Sequence, residues 1–175
     1  MATLLHSISG ERTQQLLAAG DDVKISNIYL TNTQKVSKCK VDLYIEKTLT
    51  GKFYLLKGVE LPVGATLVYE PPSFSNKIGE NALYIKLTDG ATFTLTGSID
   101  PTGTNTNVPG TNTLYTSELS IGDEIVVSGE TRTIATITGD TTATISAAWG
   151  SDLANDTSPD CNPTALVDVI INKSK

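Results

Sequence analysis

Alternation of apolar and polar residues with a period of two runs through most of this chain, and it leaves room for little besides β-strands. "KCKVDLYIEK" (38–47) puts Val41, Leu43 and Ile45 on one face and Lys40, Asp42, Tyr44 and Glu46 on the other. Cys39 shares the apolar parity and is expected as a small core residue. "ALYIKL" repeats the pattern with Leu83, Ile85 and Leu87. "DVKISNIYLTN" changes parity midway, Val23 and Ile25 being odd and Ile28 and Leu30 even, so a bulge near Ser26-Asn27 is expected on a curved edge. "KFYLLKGVEL" and "TLVYE" are apolar on both parities, as strands covered on two sides would be. "LPVGA" between them reads as a turn, and Pro71 and Pro72 keep "EPPSFSNKIGE" out of any central strand. "GERTQQLLAAG" is short and Gly-bounded, and a turn of helix or a strand with a loop fits it equally.

Before residue 90 there are roughly six or seven such strands, at the spacing of about 8–12 residues that suggests a β-sandwich. The final apolar run, "TALVDVIINK", has no hairpin partner nearby. A lone strand is not stable by itself, so it must complete the first domain, and pairing beside residues 81–88 is the economical expectation. Residues 91–162 then form a domain inserted at a hairpin tip, while 1–90 and 163–175 form the sandwich. Inside the insert, "EIVVSGETRTI" and "TIATITGDTTATI" read as hairpins with tips at Gly129-Glu130 and Gly139-Asp140. With "ATFTLTG" before them and a closing segment near "SAAWG", a small β-barrel or meander is expected. Trp149 would be its lid, in preference to a ligand-stacking site. The polar stem "SIDPTGTNTNVPGTNTLYTSEL" is expected to run over the surface.

Charge narrows the function classes. The 175 residues carry a formal charge of −6, with 13 Lys and Arg against 19 Asp and Glu, which argues against a nucleic-acid partner. No run approaches a membrane-spanning helix, and "MATLLHSISGERTQQLL" has no signal-peptide pattern. Cys39 and Cys161 lie far apart in sequence, Cys161 at the expected domain junction, so no disulfide is expected and a reducing cytosol fits.

Candidate chemistry is sparse. His6 is the sole histidine, so any Ser-His-Asp or Cys-His site would have to use it; the expected reading is a surface histidine near an edge-pairing or mobile terminus. Asp100, Asn105 and Asn107 offer oxygen ligands without calcium-loop spacing, so a polar surface loop is expected there. There is no P-loop, nucleophile elbow or nucleotide fingerprint. The scattered carboxylates suggest no glycosidase pair. Asn155 lies in an "NDT" acceptor triplet read as chance. No catalytic, cofactor-binding or metal residue is assigned.

The stretch "TLYTSELSIGDEIVVSGETRTIATITGDTTATI" resembles a β-module that recurs in tailed-bacteriophage structural proteins. There a Gly-Thr-rich lead, an F/Y-T-x-E-L-x-x-G-D turn, a G-E-T-R hairpin and a D-T-T/S-x-T-V strand follow in that order. The flanking "KISNIYLTNT", "VDLYI" and "YLLKGVELPVGATLVYE" look like small sandwich proteins in virions of myoviruses, cyanobacterial phages among them. The two likenesses together cover most of the chain. They imply a structural role and transfer no catalytic residues.

The expectation is therefore an all-β chain: an Ig-like or jelly-roll-like sandwich with a small barrel or meander inserted before its last strand. Functionally it is expected to be a non-enzymatic virion protein, assembled in the host cytoplasm and present in many copies or as a homo-oligomer. Its expected partners are the major capsid protein or neck and tail proteins, with no nucleic acid and no membrane. Capsid decoration is the first reading, with the sandwich attached and the insert projecting. The alternative is a neck, tail or fibre component that binds carbohydrate or a receptor. That alternative places a shallow site at Tyr69, Phe74 and Tyr115 with the loops "EPPSFSNKIGE" and "DPTGTNTNVPGTNT". A hydrolase acting on cell-surface sugar is disfavoured by the small size and the missing acid pair.

Overall fold

A computed structural model of the chain describes residues 3–20, 23–47, 49–71 and 81–174. Among the described residues the chain is all-β apart from one helical turn. In order it forms β1 (Thr3–Ser9), β2 (Thr13–Leu17), β3 (Lys24–Asn32), β4 (Cys39–Lys47), β5 (Gly51–Leu61), β6 (Thr66–Tyr69) and β7 (Asn81–Thr88). Then come β8 (Phe93–Thr94), β9 (Ser98–Ile99), β10 (Asn107–Thr111), α1 (Tyr115–Glu118), β11 (Glu124–Val127), β12 (Glu130–Gly139), β13 (Thr142–Ile145), β14 (Asp160–Asn162) and β15 (Leu166–Ser174). They build three antiparallel sheets, none of them closed: β1-β15-β3-β6, β2-β7-β4-β5 and β8-β14-β11-β12-β13-β10-β9.

Contacts divide the chain into two compact units. Unit 1 comprises Met1–Thr33, Lys38–Asp89 and Ala165–Lys175; unit 2 comprises Gln34–Ser37 and Gly90–Thr164. Unit 1 holds the first two sheets, which share one core. Ile28, Leu30, Val167, Val169 and Ile171 from the first sheet and Val41, Leu43, Leu83, Ile85 and Leu87 from the second are all buried in it. Alternation explains this directly, because each strand turns every second residue inward.

Several local expectations hold. Asn172 pairs with Asn27 and Lys173 with Ile25, so Ser26 is the extra residue of the expected bulge. The bulge sits beyond the four residues of β3 that pair with β6, on an interior strand and not on an edge one. "LPVGA" is a turn, with Ala65 N–H donating to the Pro62 carbonyl. "TQQLL" is a strand, and its partner is β7.

Others are corrected. β15 does not pair with residues 81–88; it lies between β1 and β3, while β7 lies between β2 and β4 in the other sheet. The chain therefore leaves one sheet at Asp89 and returns to a different one. Even so, Ala165 N–H donates to Asp89 Oδ1 at 2.7 Å, so these two residues lie side by side. β5 and β6 are edge strands, mostly exposed, and not the doubly covered strands their composition suggests. Tyr54 and Val68 are exposed on the outward parity, and even Phe53, which lies opposite Ile45 on the inward parity, is half exposed.

Unit 2 is an open seven-stranded sheet, so the barrel expectation fails on closure; outside the strands, one bridge joins Ile99 to Asp156. β11, β12 and β13 form a meander. Its first turn is Ser128-Gly129, with φ of 47° and 86°, one residue earlier than expected; two positive φ values match a type I′ hairpin. The second tip is Asp140-Thr141, because Gly139 still pairs with Thr142. "SAAWG" is not a strand; β14 takes the place beside β11. The polar stem is not a surface run, because it supplies β9, β10 and α1 and buries Ile99, Val108, Tyr115 and Leu119. Trp149 is buried among them, its Nε1–H donating to the Asn107 carbonyl and the Arg132 guanidinium lying over its ring.

Candidate functional site

The singled-out residues are mostly structural. His6 faces inward with Leu4 and Ile8 on β1, and its buried Nε2 has no hydrogen-bond partner, so it is half-buried packing and not the expected surface histidine. Among the described residues no nucleophile or carboxylate is hydrogen-bonded to its Nε2. Cys39 lies in the core of unit 1, as its parity implies. Cys161 lies in the core of unit 2 on β14, and not at a junction. Burial pushes the Cys39 thiol up to about 11, with the Asp89 carboxylate adding to the effect, and burial also raises Cys161. Asn105 braces its own loop, accepting from Asn107 N–H and donating to the Thr102 carbonyl. Asn155 is exposed. Among the described residues no group of three or more His, Cys, Asp or Glu side chains could hold a metal.

The aromatic site expected for a glycan does not assemble from its named residues. Tyr115 is fully buried in the core of unit 2, and Tyr69 packs against the core of unit 1. Phe74 and most of "EPPSFSNKIGE" lie outside the described residues.

Unit 2 contains a buried polar cluster that sequence reading missed. Asp123 is fully buried; its Oδ1 accepts from Gln34 Nε2 at 2.8 Å and Thr164 N–H at 2.9 Å, and its Oδ2 accepts from Ser120 N–H at 2.7 Å. Gln34 uses both ends of its amide, accepting from Ser120 Oγ and donating also to the Thr164 carbonyl. Lys35 Nζ donates to the Thr116 and Leu119 carbonyls at the end of α1. Burial raises the Asp123 carboxyl above the usual range, and these donors only partly offset it. Every polar group here already has a protein partner, which marks a strut and not a reaction centre. The four residues 34–37 carry no sequence signal that they belong with a sheet built from residue 90 onward.

The outer faces of unit 1 carry exposed aromatic and apolar side chains. On the second sheet, register aligns Gln15, Tyr84, Tyr44 and Tyr54 in one cross-strand row. Tyr44 and Tyr84 stack at 5.7 Å with 15° between planes, and Tyr54 leans on Tyr44 at 5.5 Å. Lys52 and Lys57 lie 4.7 and 4.8 Å from the Tyr44 and Tyr54 ring centres. Tyr44 is buried by its contacts with Tyr84 and Tyr54, so the ladder stiffens the sheet. At the end of this face the β4–β5 turn carries Leu49, fully exposed at a positive φ of 63°, with Phe53 52% exposed nearby in sequence. An open cleft of about 650 Å³ lies beside the ladder, lined by Gln15, Glu46, Leu49 and Tyr84 among others.

On the first sheet, register aligns Leu5, Ile170, Tyr29 and Val68, one from each strand, on the outward parity. Apolar residues on both parities of "ALVDVIINK" were the sequence signal for this row.

Charge is divided unevenly. Unit 2 holds only Lys35 and Arg132 against nine carboxylates, a formal −7; unit 1 holds the other eleven cations against ten carboxylates, a formal +1.

No protein-family model matches this chain. No curated protein matches it either. A solved structure described as the crystal structure of serine protease of Aeromonas sobria aligns at 10% identity with a TM-score of 0.26. The alignment spans 98% of this chain and 27% of that one, and a likeness at this level carries no inference about fold or activity.

Proposed function

We propose that this chain is a non-enzymatic virion structural protein of a tailed bacteriophage, most specifically a capsid decoration protein. Unit 1 is read as an Ig-like or jelly-roll-like sandwich that docks on the particle, and unit 2 as the part presented to solvent. The observation that carries this reading is the segregation of charge. A unit of formal −7 repels its own copies and stays hydrated, which suits the solvent side of a crowded lattice; a unit near neutrality can approach a surface. Leu49 in the β4–β5 turn and the half-exposed Phe53 of β5 each supply apolar area for such a contact. Binding to a repeated lattice stabilises it by mass action. The phage likeness of the "GDEIVVSGETRTI" module supports the same reading.

The test is to add purified protein to particles that lack it and to locate it by image reconstruction. Decoration requires density at each lattice repeat, with occupancy reduced about tenfold or more by Leu49→Ser with Phe53→Ser. Density confined to the neck or tail tip would move the assignment to the neck, tail or fibre alternative. Absence of particle binding would end the virion reading. Hydrolysis of polysaccharide or peptide substrates is expected to be negligible.

A further inference from the structure

We propose that the outer face of the β1-β15-β3-β6 sheet is a homodimer interface, covered by a second copy of this chain. The row Leu5–Ile170–Tyr29–Val68 crosses all four strands without interruption. Leu5 is 72% exposed, Val68 47% and Ile170 37%. Isolated exposed apolar residues need no explanation, but three of them in register with the half-buried Tyr29 across a whole sheet form a contiguous stripe.

The rows on either side make the face easy to bury. One holds Thr3, Asn172 and Asn27, the other Ser7, Asp168, Thr31 and Thr66. Thr3 donates to Asn172, Asn172 donates to Asn27 at 2.8 Å, and the Thr31 and Thr66 hydroxyls share a hydrogen bond at 2.9 Å. These polar groups already satisfy one another within the sheet, so covering them strands few donors or acceptors.

Charge selects the occupant. Among the described residues of the three rows Asp168 carries the one charge, so the face offers little to a partner recognised by electrostatics. A chain of formal charge −6 opposes its own association, and a nearly uncharged face is where two copies meet at least cost. A twofold axis parallel to the strands, passing between β15 and β3, makes the face self-complementary. It lays Leu5 over the partner's Val68 and Ile170 over the partner's Tyr29. The same axis sets Asp168 against the hydroxyl of the partner's Thr31, and not against a second carboxylate.

Size sets the strength. Four strands at about 4.8 Å spacing and roughly 23 Å of strand length give a footprint near 440 Å² per copy. Two such footprints lie below the usual range for specific interfaces, about 1,200–2,000 Å² in total, so a weak, readily dissociating dimer is expected. The pairing rests on this face alone and would hold whether or not the chain docks on a particle.

Sedimentation of the full chain across concentration tests it. A monomer–dimer equilibrium is expected that survives molar salt, because the face is apolar. Leu5→Lys should leave the chain folded, since that side chain is largely in water, and weaken the dimer at least tenfold. Phe53→Lys, on the other sheet, should leave the dimer unchanged. Mixing Leu5→Cys with Val68→Cys should give a 5–68 disulfide between copies in preference to 5–5. A chain monomeric at millimolar concentration, a dimer indifferent to Leu5→Lys, or one dissolved by salt would overturn the inference.

Discussion

Asp123 is the residue on which unit 2 turns. Three N–H donors converge on its carboxylate, so Asp123→Ala would leave the Ser120 and Thr164 amides without that acceptor and take from Gln34 one of the two acceptors of its amide. A loss of about 3 kcal/mol is expected, measured by denaturant unfolding. The pH dependence has a definite sign. The folded carboxyl titrates above its ordinary 3.8, so the folded state holds the proton more tightly than the unfolded chain does. The group's favourable contribution is full below 3.8 and is lost as pH rises through the folded value. The stability of the native chain relative to Asp123→Asn should therefore fall as pH rises through that window; an advantage that grows instead would contradict the raised carboxyl. The two thiols belong to the same scale. With both buried and raised, neither Cys39 nor Cys161 should react with a thiol reagent until the chain unfolds.

At the scale of elements, unit 2 depends on close backbone approach. Gly97, just before β9, has φ of +84°, and a Cβ there would sit 2.4 Å from the Thr111 carbonyl oxygen, against the strand that β9 pairs with. Gly97→Ala combines a strained φ with a backbone clash and should cost at least about 2 kcal/mol, read as a lowered unfolding midpoint of unit 2. An unchanged midpoint would mean β9 and β10 can separate freely. The edge strand β5 follows another rule. Register shifts opposite Val41, Leu43 and Tyr44 give it extra residues, and Lys52 and Lys57 lie along it. Bulges and lysines are the devices that keep a long edge from pairing with another chain, so β5 presents side chains and not its backbone.

For the whole molecule, the route of the chain makes an asymmetric prediction. Asp89 and Ala165 are hydrogen-bonded neighbours, so residues 90–164 can be replaced by a short Gly/Ser linker without pulling unit 1 apart. That linker must cross between sheets; a two-residue hairpin turn would demand a β7–β15 pairing that does not exist. The excised chain should fold and melt cooperatively, with stability changed by only about 1 kcal/mol, since loop closure depends weakly on length. Ending the chain at residue 163 removes β15, which pairs with both β1 and β3 and buries Val167, Val169 and Ile171. At about 1.5–3 kcal/mol for each side chain, the loss is comparable to the whole margin of a small domain. That form should be insoluble. A soluble truncated chain beside an unfolded excised one would refute this topology.

The alternation of "KCKVDLYIEK" and "NALYIKL", the parity change at Ser26 and the turn residues that break the apolar runs between residues 124 and 145 were enough, by themselves, to determine an all-β chain. They also placed Cys39, Leu83, Ile85 and Leu87 in a core. This information is local, because a side chain's face follows from its neighbours two residues away. Tertiary structure alone decided which strands are neighbours. Apolar residues on both parities describe a central strand equally with an edge strand that has an exposed apolar face, so β5 and β6 could not be told from β15. The return of β15 to a different sheet, the recruitment of Gln34 to Asp123, and the alignment of Leu5, Ile170, Tyr29 and Val68 all join residues far apart in sequence. Contacts of that kind are set by register between strands, and strand register is specified by the assembled sheet and not by any single strand.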